Sequence, residues 1–212
     1  MTRLTRRFAF LAALLIAGAG LVASPQARAD EAPDAMVGRL SQDVLDTIKT
    51  DKNLQSGNLV RVMALVDDKI MPYVDFRRMT AAAAGPAWRR ATPEQQQQLQ
   101  DEFKTLLIRT YSNGLRQISN QTVDVQPMRS APGDQEVVVR TFIRGGGEPV
   151  QMDYRLYKAP GQGPGWKVYD LNVMGIWIID TYRTQFAQQI NAGGIDRLLQ
   201  TLAERNKSNG GK

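Results

Sequence analysis

Residues 135–173 read QEVVVRTFIRGGGEPVQMDYRLYKAPGQGPGWKVYDLNV, and the fold class turns on them. Strand-forming runs at roughly 135–144, 148–158 and 165–173 are separated by Gly145-Gly146-Gly147 and by the stretch from Pro160 to Gly165, both rich in turn formers. A further run at 121–128 precedes them across Pro132-Gly133-Asp134. Connections this short join antiparallel neighbours, because a parallel pair needs a crossover of a dozen residues or more. Within the third run Val150, Met152, Tyr154 and Leu156 alternate with Gln151, Asp153 and Arg155. One face of the sheet is therefore covered and the other is largely wet, Asp153 being expected on the wet side. The second run is apolar on both sides from Val137 to Ile143, which leaves its facing open.

Outward from the meander the apolar period changes to that of helices. Val37, Leu40, Val44 and Ile48 mark one over 34–50, and Leu59, Val62, Val66 and Ile70 another over 58–71, stopped by Pro72. Asp75 is placed to cap a helix presenting Phe76, Met79 and Ala83 up to Gly85. Thr92-Pro93-Glu94-Gln95 combines an N-cap residue, a first-turn proline and the glutamine of a capping box. The helix it opens carries Leu99, Phe103, Leu106, Leu107, Tyr111 and Leu115 and is expected to reach Ile118. After Gly175 a helical stripe runs through Ile176, Ile179, Arg183, Phe186 and Ile190 to Gly193-Gly194, and a last helix presents Ile195, Leu198, Leu199 and Leu202. The tail from Asn206 to Lys212 reads as frayed. Helices before and after an antiparallel meander make an α+β domain: a four-stranded, or five-stranded, curved sheet with helices packed on one face.

The first 29 residues read as an export signal: Arg3, Arg6 and Arg7, an uncharged apolar run from Phe8 to Val22, and Ala27-Arg28-Ala29 as the cleavage site. The run is too short for a spanning helix. Thr5-Arg6-Arg7 also partly resembles a twin-arginine signal, so the export route stays open. With no cysteine after the site, a lipoprotein anchor is not expected, and residues 30–205 are expected to form a single exported domain. The full chain carries 27 Lys+Arg and 21 Asp+Glu; cleavage after Ala29 removes Arg3, Arg6, Arg7 and Arg28 and leaves 23 cations against 21 acids, a net charge of +2. That is far from a nucleic-acid footprint. The chain holds no cysteine and no histidine, which removes disulfides, thiol nucleophiles, zinc sites of the usual donors and the common general base near neutral pH. No metal site is expected.

Several stretches are familiar in their order. Asp75-Phe76-x-x-Met79, Gly85-x-x-Trp88-Arg89 and Ala91-Thr92 lead into the Gln-rich helix with Phe103, Leu106, Leu107 and Thr110-Tyr111-Ser112. Tyr154, Gly165-Trp166-Lys167-Val168-Tyr169-Asp170, Gly175 and Tyr182-Arg183-x-x-Phe186 follow. From about residue 34 to 203 the whole resembles the MlaC / toluene-tolerance family of periplasmic phospholipid-binding proteins. The resemblance implies a cone-like fold related to that of nuclear transport factor 2, enclosing an apolar cavity for a diacyl phospholipid. It implies a monomeric carrier with no cofactor and no catalysis, moving lipid between an outer-membrane lipoprotein–porin complex and an inner-membrane ABC transporter, which maintains outer-membrane lipid asymmetry. Ile176-Trp177-Ile178 is bulkier than the small-residue version found in parts of the family, a departure expected to narrow or reshape the pocket.

On this reading the lipid is lined from the helices by Phe76, Met79, Phe103, Leu107, Tyr111 and Leu115. From the sheet come Val139, Met152, Tyr154 and Val173, and from the last segment Trp177 and Tyr182, with Arg183 as a phosphate contact. Each has a plainer reading as ordinary core, and Arg183 as the ion-pair partner of Asp170 or Asp180. Asp75 is read as a cap alone. Moving a lipid through water is a matter of burial: at ~0.8 kcal/mol per methylene, two acyl chains leaving a membrane expose on the order of 20 kcal/mol. Two other classes compete. An isomerase or dehydratase on a related fold would use Asp153 or Asp170 as an aspartate with a raised pKa in an apolar cavity. A non-lipid envelope adaptor would have a filled core.

Overall fold

The computed structural model describes residues 31–128, 131 and 133–208. The expected export signal, Pro132 of the first turn and the last four residues of the tail lie outside the described residues. Among those described, no helix is long and apolar enough to cross a membrane.

Helix α1 (Pro33–Thr50) starts on a proline in its first turn and buries Met36, Val37, Leu45 and Ile48. A short α2 (Lys52–Gln55) follows, with the Asp51 carboxylate accepting from the amides of Asn53 and Leu54. Asn58 caps α3 (Leu59–Leu65), which passes into a π-helical turn, Val66–Ile70, and a 3-10 turn, Met71–Tyr73. Pro72 thus ends the segment as the sequence indicates, through two irregular turns rather than one clean stop. Asp75 caps α4 (Phe76–Ala84) by accepting from the Arg78 amide, and Gly85 closes it at φ 61°. Its second oxygen accepts from the Tyr157 hydroxyl at 2.7 Å, so this cap also ties α4 to the sheet.

The Thr92 capping box is present in both directions at the head of α5 (Pro93–Tyr111). The expected continuation to Ile118 is corrected: the α-helix stops at Tyr111, and Ser112–Gln117 tightens to 3-10 turns around Gly114. Glycine is a poor interior helix residue, so the tail of the apolar stripe is carried by a different geometry.

Strands β1 (Thr122–Val125), β2 (Glu136–Arg144), β3 (Val150–Lys158), β4 (Trp166–Val173) and β5 (Ile176–Trp177) form one antiparallel sheet in sequence order. The sheet is curved and does not close, and five strands rather than four are present. Between β3 and β4 the register shifts: Leu156 faces Val168 while Arg155 faces Asp170, so Tyr169 is an extra residue in β4. A bulge of this kind exchanges the two faces of its strand. Val168 belongs to the helix-facing side before it, Leu171 and Val173 after it, opposite Tyr154 and Met152. The sequence pattern at 176–190 is corrected by β5. Ile176 and Trp177 are strand, and α6 (Ile178–Ser208) begins after them. The Gly193-Gly194 break is real, with Gly194 at φ 73° inside α6.

The expected tail boundary also moves. Asn206 is buried and its amide donates to the Glu102 carbonyl at 2.9 Å and the Glu102 carboxylate at 2.6 Å, so the helix is pinned to α5 through Ser208.

Three apolar clusters hold the fold. One joins α4, α5 and α6; a second packs α1 onto Val137, Val139, Leu156, Trp166 and Val168 of the sheet; a third joins α1, α2 and α3 with Ile108. The expectation of a wet outer face is half right. Val138 is exposed there, but Asp153 is buried, clasped by Arg140 at 2.9 and 3.2 Å and by Gln151 at 3.0 Å. A strand neighbour with a long cationic side chain can seal a carboxylate that alternation alone would leave in water.

Candidate functional site

Val74 packs against both the first and the second cluster. Between the three clusters lies a pocket of about 570 Å³. Its helical walls are Phe76 and Met79 of α4, Leu107, Ile108 and Tyr111 of α5, Leu115 and Ile118 just beyond, and Leu40 of α1. The π and 3-10 turns give Val66, Ile70 and Met71. The sheet supplies Ile143, Val150, Met152, Tyr154, Val168, Leu171 and Val173, and α6 adds Ile178. Many of these are only partly buried and pack against the margins of the clusters: Leu107 and Leu171 on the first, Tyr154 on the second, Val66, Leu115 and Ile118 on the third. They are apolar groups with a contact on one side and space on the other, a costly arrangement unless something fills it.

The pocket has a wet end. Among its lining residues Tyr111, Gly114, Gln117, Gly146 and Glu148 are exposed, and they come from the end of α5, the 3-10 turns after it and the β2–β3 loop. That loop passes close to the chain before β1: a Cβ on Gly145 would sit 2.9 Å from the Asn120 carbonyl oxygen, so glycine is required there on space as well as on its φ of 102°. Several polar groups of the lining are engaged. Lys104 donates to Asp67 at 2.8 Å, tying α5 to the π turn. The Gln121 side chain accepts from the Ser119 amide and donates to the Gln117 carbonyl at 2.9 Å. The Tyr154 hydroxyl lies 3.5 Å from that of Ser41, and burial pushes its pKa up, so it stays a neutral phenol.

The structure brings Phe76, Met79, Leu107, Tyr111, Leu115, Met152, Tyr154 and Val173 together around this pocket. It places the other sequence candidates elsewhere. Phe103 and Tyr182 stack edge to face, ring centres 4.8 Å apart, and Phe103 also packs on Phe76 and Phe186, in the solid core behind the pocket. Val139 is fully buried under α1. Trp177 pairs with Asn172 and so lies on the outer face of the sheet, where the Arg155 guanidinium covers its ring at 3.8 Å. The change from helix to strand at 176–177 is the reason: alternation turns the indole away from the pocket. Arg183 is exposed at the surface, donating to the Ala82 carbonyl at 3.2 Å with Asp180 at 3.7 Å, and is not part of the lining. Ile179 and Phe186, on the same stripe, pack into the α4–α5–α6 cluster. The lining residues missed by sequence, such as Met71, Val74, Ile143 and Ile178, carry no signal that separates them from core.

The two aspartates of the enzyme reading lie outside the pocket. Asp170 is fully buried on the outer face; one oxygen accepts from the amides of Leu171 at 2.9 Å and Ile179 at 3.1 Å, the other from Arg155 at 2.9 Å. Burial pushes its pKa up, opposed by those two amides and by Arg155. The group anchors the first turn of α6 to the bulged strand and is not part of the pocket lining. The pocket lining contains no serine, cysteine or histidine, and among the described residues no group of three or more acidic, His or Cys side chains is placed to hold a metal.

A curved antiparallel sheet, helices on one face, and an apolar pocket with a wet mouth define a class: α+β proteins with a pocket between sheet and helices. The chain belongs to the MlaC protein family, whose model matches residues 38–204. It is 28% identical over 169 residues to the toluene tolerance protein ttg2D of Pseudomonas putida, covering 79% of this chain and 77% of that one. It is 21% identical over 180 residues to the intermembrane phospholipid transport system binding protein MlaC of Haemophilus influenzae, covering 83% of each. A solved structure of a phospholipid-binding protein from Ralstonia solanacearum, in complex with a phospholipid, is 50% identical. It superposes with a TM-score of 0.79 over 84% of this chain and 98% of that one.

Proposed function

We propose that this protein carries a phospholipid, holding its acyl chains in the pocket between the three apolar clusters. The observation that supports this reading is the apolar lining of the pocket, in a chain half identical to a protein solved with a phospholipid. Most of the lining offers hydrocarbon contact, as holding an acyl chain requires. Burial in the pocket offsets the cost of leaving the bilayer, ~0.8 kcal/mol for each methylene covered. The headgroup stays in water at the mouth, beside Tyr111, Gln117 and Glu148, and the cargo is a diacyl phospholipid with no cofactor. A nearly balanced exchange between membrane and carrier lets lipid pass in either direction. In this reading the mature monomer works in the periplasm, between an outer-membrane lipoprotein–porin complex and an inner-membrane ABC transporter, and sustains outer-membrane lipid asymmetry.

The test is native mass spectrometry of protein purified without added lipid, with organic extraction of the same sample. Phospholipid masses on the folded protein are expected. A folded protein with no lipid by either method, even after incubation with phospholipid vesicles, overturns the reading.

A further inference from the structure

The hairpin between β4 and β5 is made for contact with something apolar. Met174 and Ile176 are 71% and 62% exposed, among the most exposed large apolar side chains described. Met174 is the one non-glycine described residue with positive φ, at 53°, and Gly175 follows at 88°. Two consecutive positive φ values in a two-residue hairpin are the setting for Asn-Gly or Gly-Gly. A methionine there carries backbone strain, and its side chain points into solvent, so packing does not account for it.

Position gives the turn a meaning. The Met174 amide donates to the Gln151 carbonyl at 2.9 Å, beside the pocket-lining Val150 and Met152. Ile176 pairs with Val173, so it lies on the helix-facing side of the sheet, one strand beyond the pocket lining. Tyr111, 47% exposed, stands at the mouth of the same pocket. An acyl chain moving between a bilayer and Val173 would therefore pass along Ile176 with little contact with water.

We propose that the Met174–Ile176 turn enters the surface of a lipid bilayer while the pocket exchanges its phospholipid. The proposal rests on the carrier reading above. A few side chains on a narrow turn fall well short of the ~1,000 Å² that a stable protein interface buries. They suit the interfacial zone of a membrane, where apolar side chains gain by burial without needing a complementary surface.

The experiment compares the full mature protein with the double variant Met174→Asn, Ile176→Thr. Asparagine relieves the strain at a positive φ and threonine keeps strand preference, so folding should be retained and a melting curve checks it. Two delivery modes are measured for delipidated protein: a fluorescent diacyl phospholipid in vesicles of phosphatidylethanolamine with a minority of phosphatidylglycerol, and a short-chain phosphatidylcholine supplied below its micelle concentration. Uptake from vesicles should slow ~10-fold in the variant, corresponding to the loss of two partly buried apolar side chains, and uptake of the short-chain lipid should not change. Unaltered vesicle uptake overturns the proposal, and is the outcome expected if the turn docks on a protein instead. Equal slowing in both modes also overturns it, since the two residues would then act on the pocket. If the unsubstituted protein takes up no short-chain lipid, the carrier reading itself fails and this inference falls with it.

Discussion

Leu106 and Leu107 are neighbours on α5, and replacing each with tryptophan separates pocket from core. Leu106 is 4% exposed within the α4–α5–α6 cluster, while Leu107 lines the pocket. At Leu106 the extra volume has nowhere to go, and overpacking should cost about 1–3 kcal/mol. At ~2–4 °C per kcal/mol for a domain of this size, Leu106→Trp should lower the melting temperature by roughly 2–12 °C. At Leu107 the indole enters empty space and gains apolar burial, so delipidated Leu107→Trp should melt within ~3 °C of the parent. Its effect should appear in lipid. If the indole displaces about four methylenes of an acyl chain, affinity falls by ~3 kcal/mol, roughly 200-fold. Both proteins must be stripped of lipid before melting, because a bound ligand stabilises the native state by mass action. Native mass spectrometry then gives occupancy after incubation with phospholipid. A Leu107→Trp protein that folds and still loads fully, or that melts as low as Leu106→Trp, refutes the assignment of this wall.

Three further outcomes are expected. Arg183→Ala should leave lipid occupancy unchanged and shift stability by less than ~0.5 kcal/mol, its contacts being exposed; a fall in occupancy would restore the phosphate role. Asp170→Asn should destabilise by ~1–3 kcal/mol, by removing the acceptor of a charge-assisted bond from Arg155, without altering the lipid load of folded protein; a turnover abolished by this change would revive the aspartate enzyme. Glu136 is hydrogen-bonded first by Arg78 and then by Tyr169, which hold its carboxyl below the usual range. A depressed folded pKa contributes stability that is present above the unfolded value of ~4.3 and lost as pH falls through the folded one. The gap in melting temperature between the parent and Glu136→Gln should therefore narrow as the pH is taken from about 6 to about 3; a gap independent of pH contradicts the assignment.

Local chemistry was the most readable part of the chain. The Thr92 capping box, the Asp75 cap, the Gly193-Gly194 break and the meander with its turns at Gly145–Gly147 and 160–165 appear as the residues indicate, because each depends on neighbours in sequence. The failures share a cause in tertiary placement. The Tyr169 bulge exchanges the faces of β4, and no residue in it announces the shift. Asn206 looks like the start of a loose tail until Glu102, far off in sequence, takes its amide. Phe103 and Leu107 lie on one stripe of α5, a turn apart, yet one is sealed in core and the other faces the pocket. Periodicity marks which side of a helix is apolar. It carries no information on whether the facing layer touches that side, and a pocket is the place where it does not.

In the proposed carrier, acyl chains occupy the space between Leu107, Met152 and Ile178. A phospholipid with a photoreactive diazirine in its acyl tail, loaded into the protein and irradiated, reports that directly by peptide mass spectrometry. Crosslinks should fall on the peptides carrying those residues and on the Val66–Met71 wall. Crosslinks confined to the small cleft around Ala87, Ile190 and Ile195, or spread over the outer face of the sheet, would contradict the account.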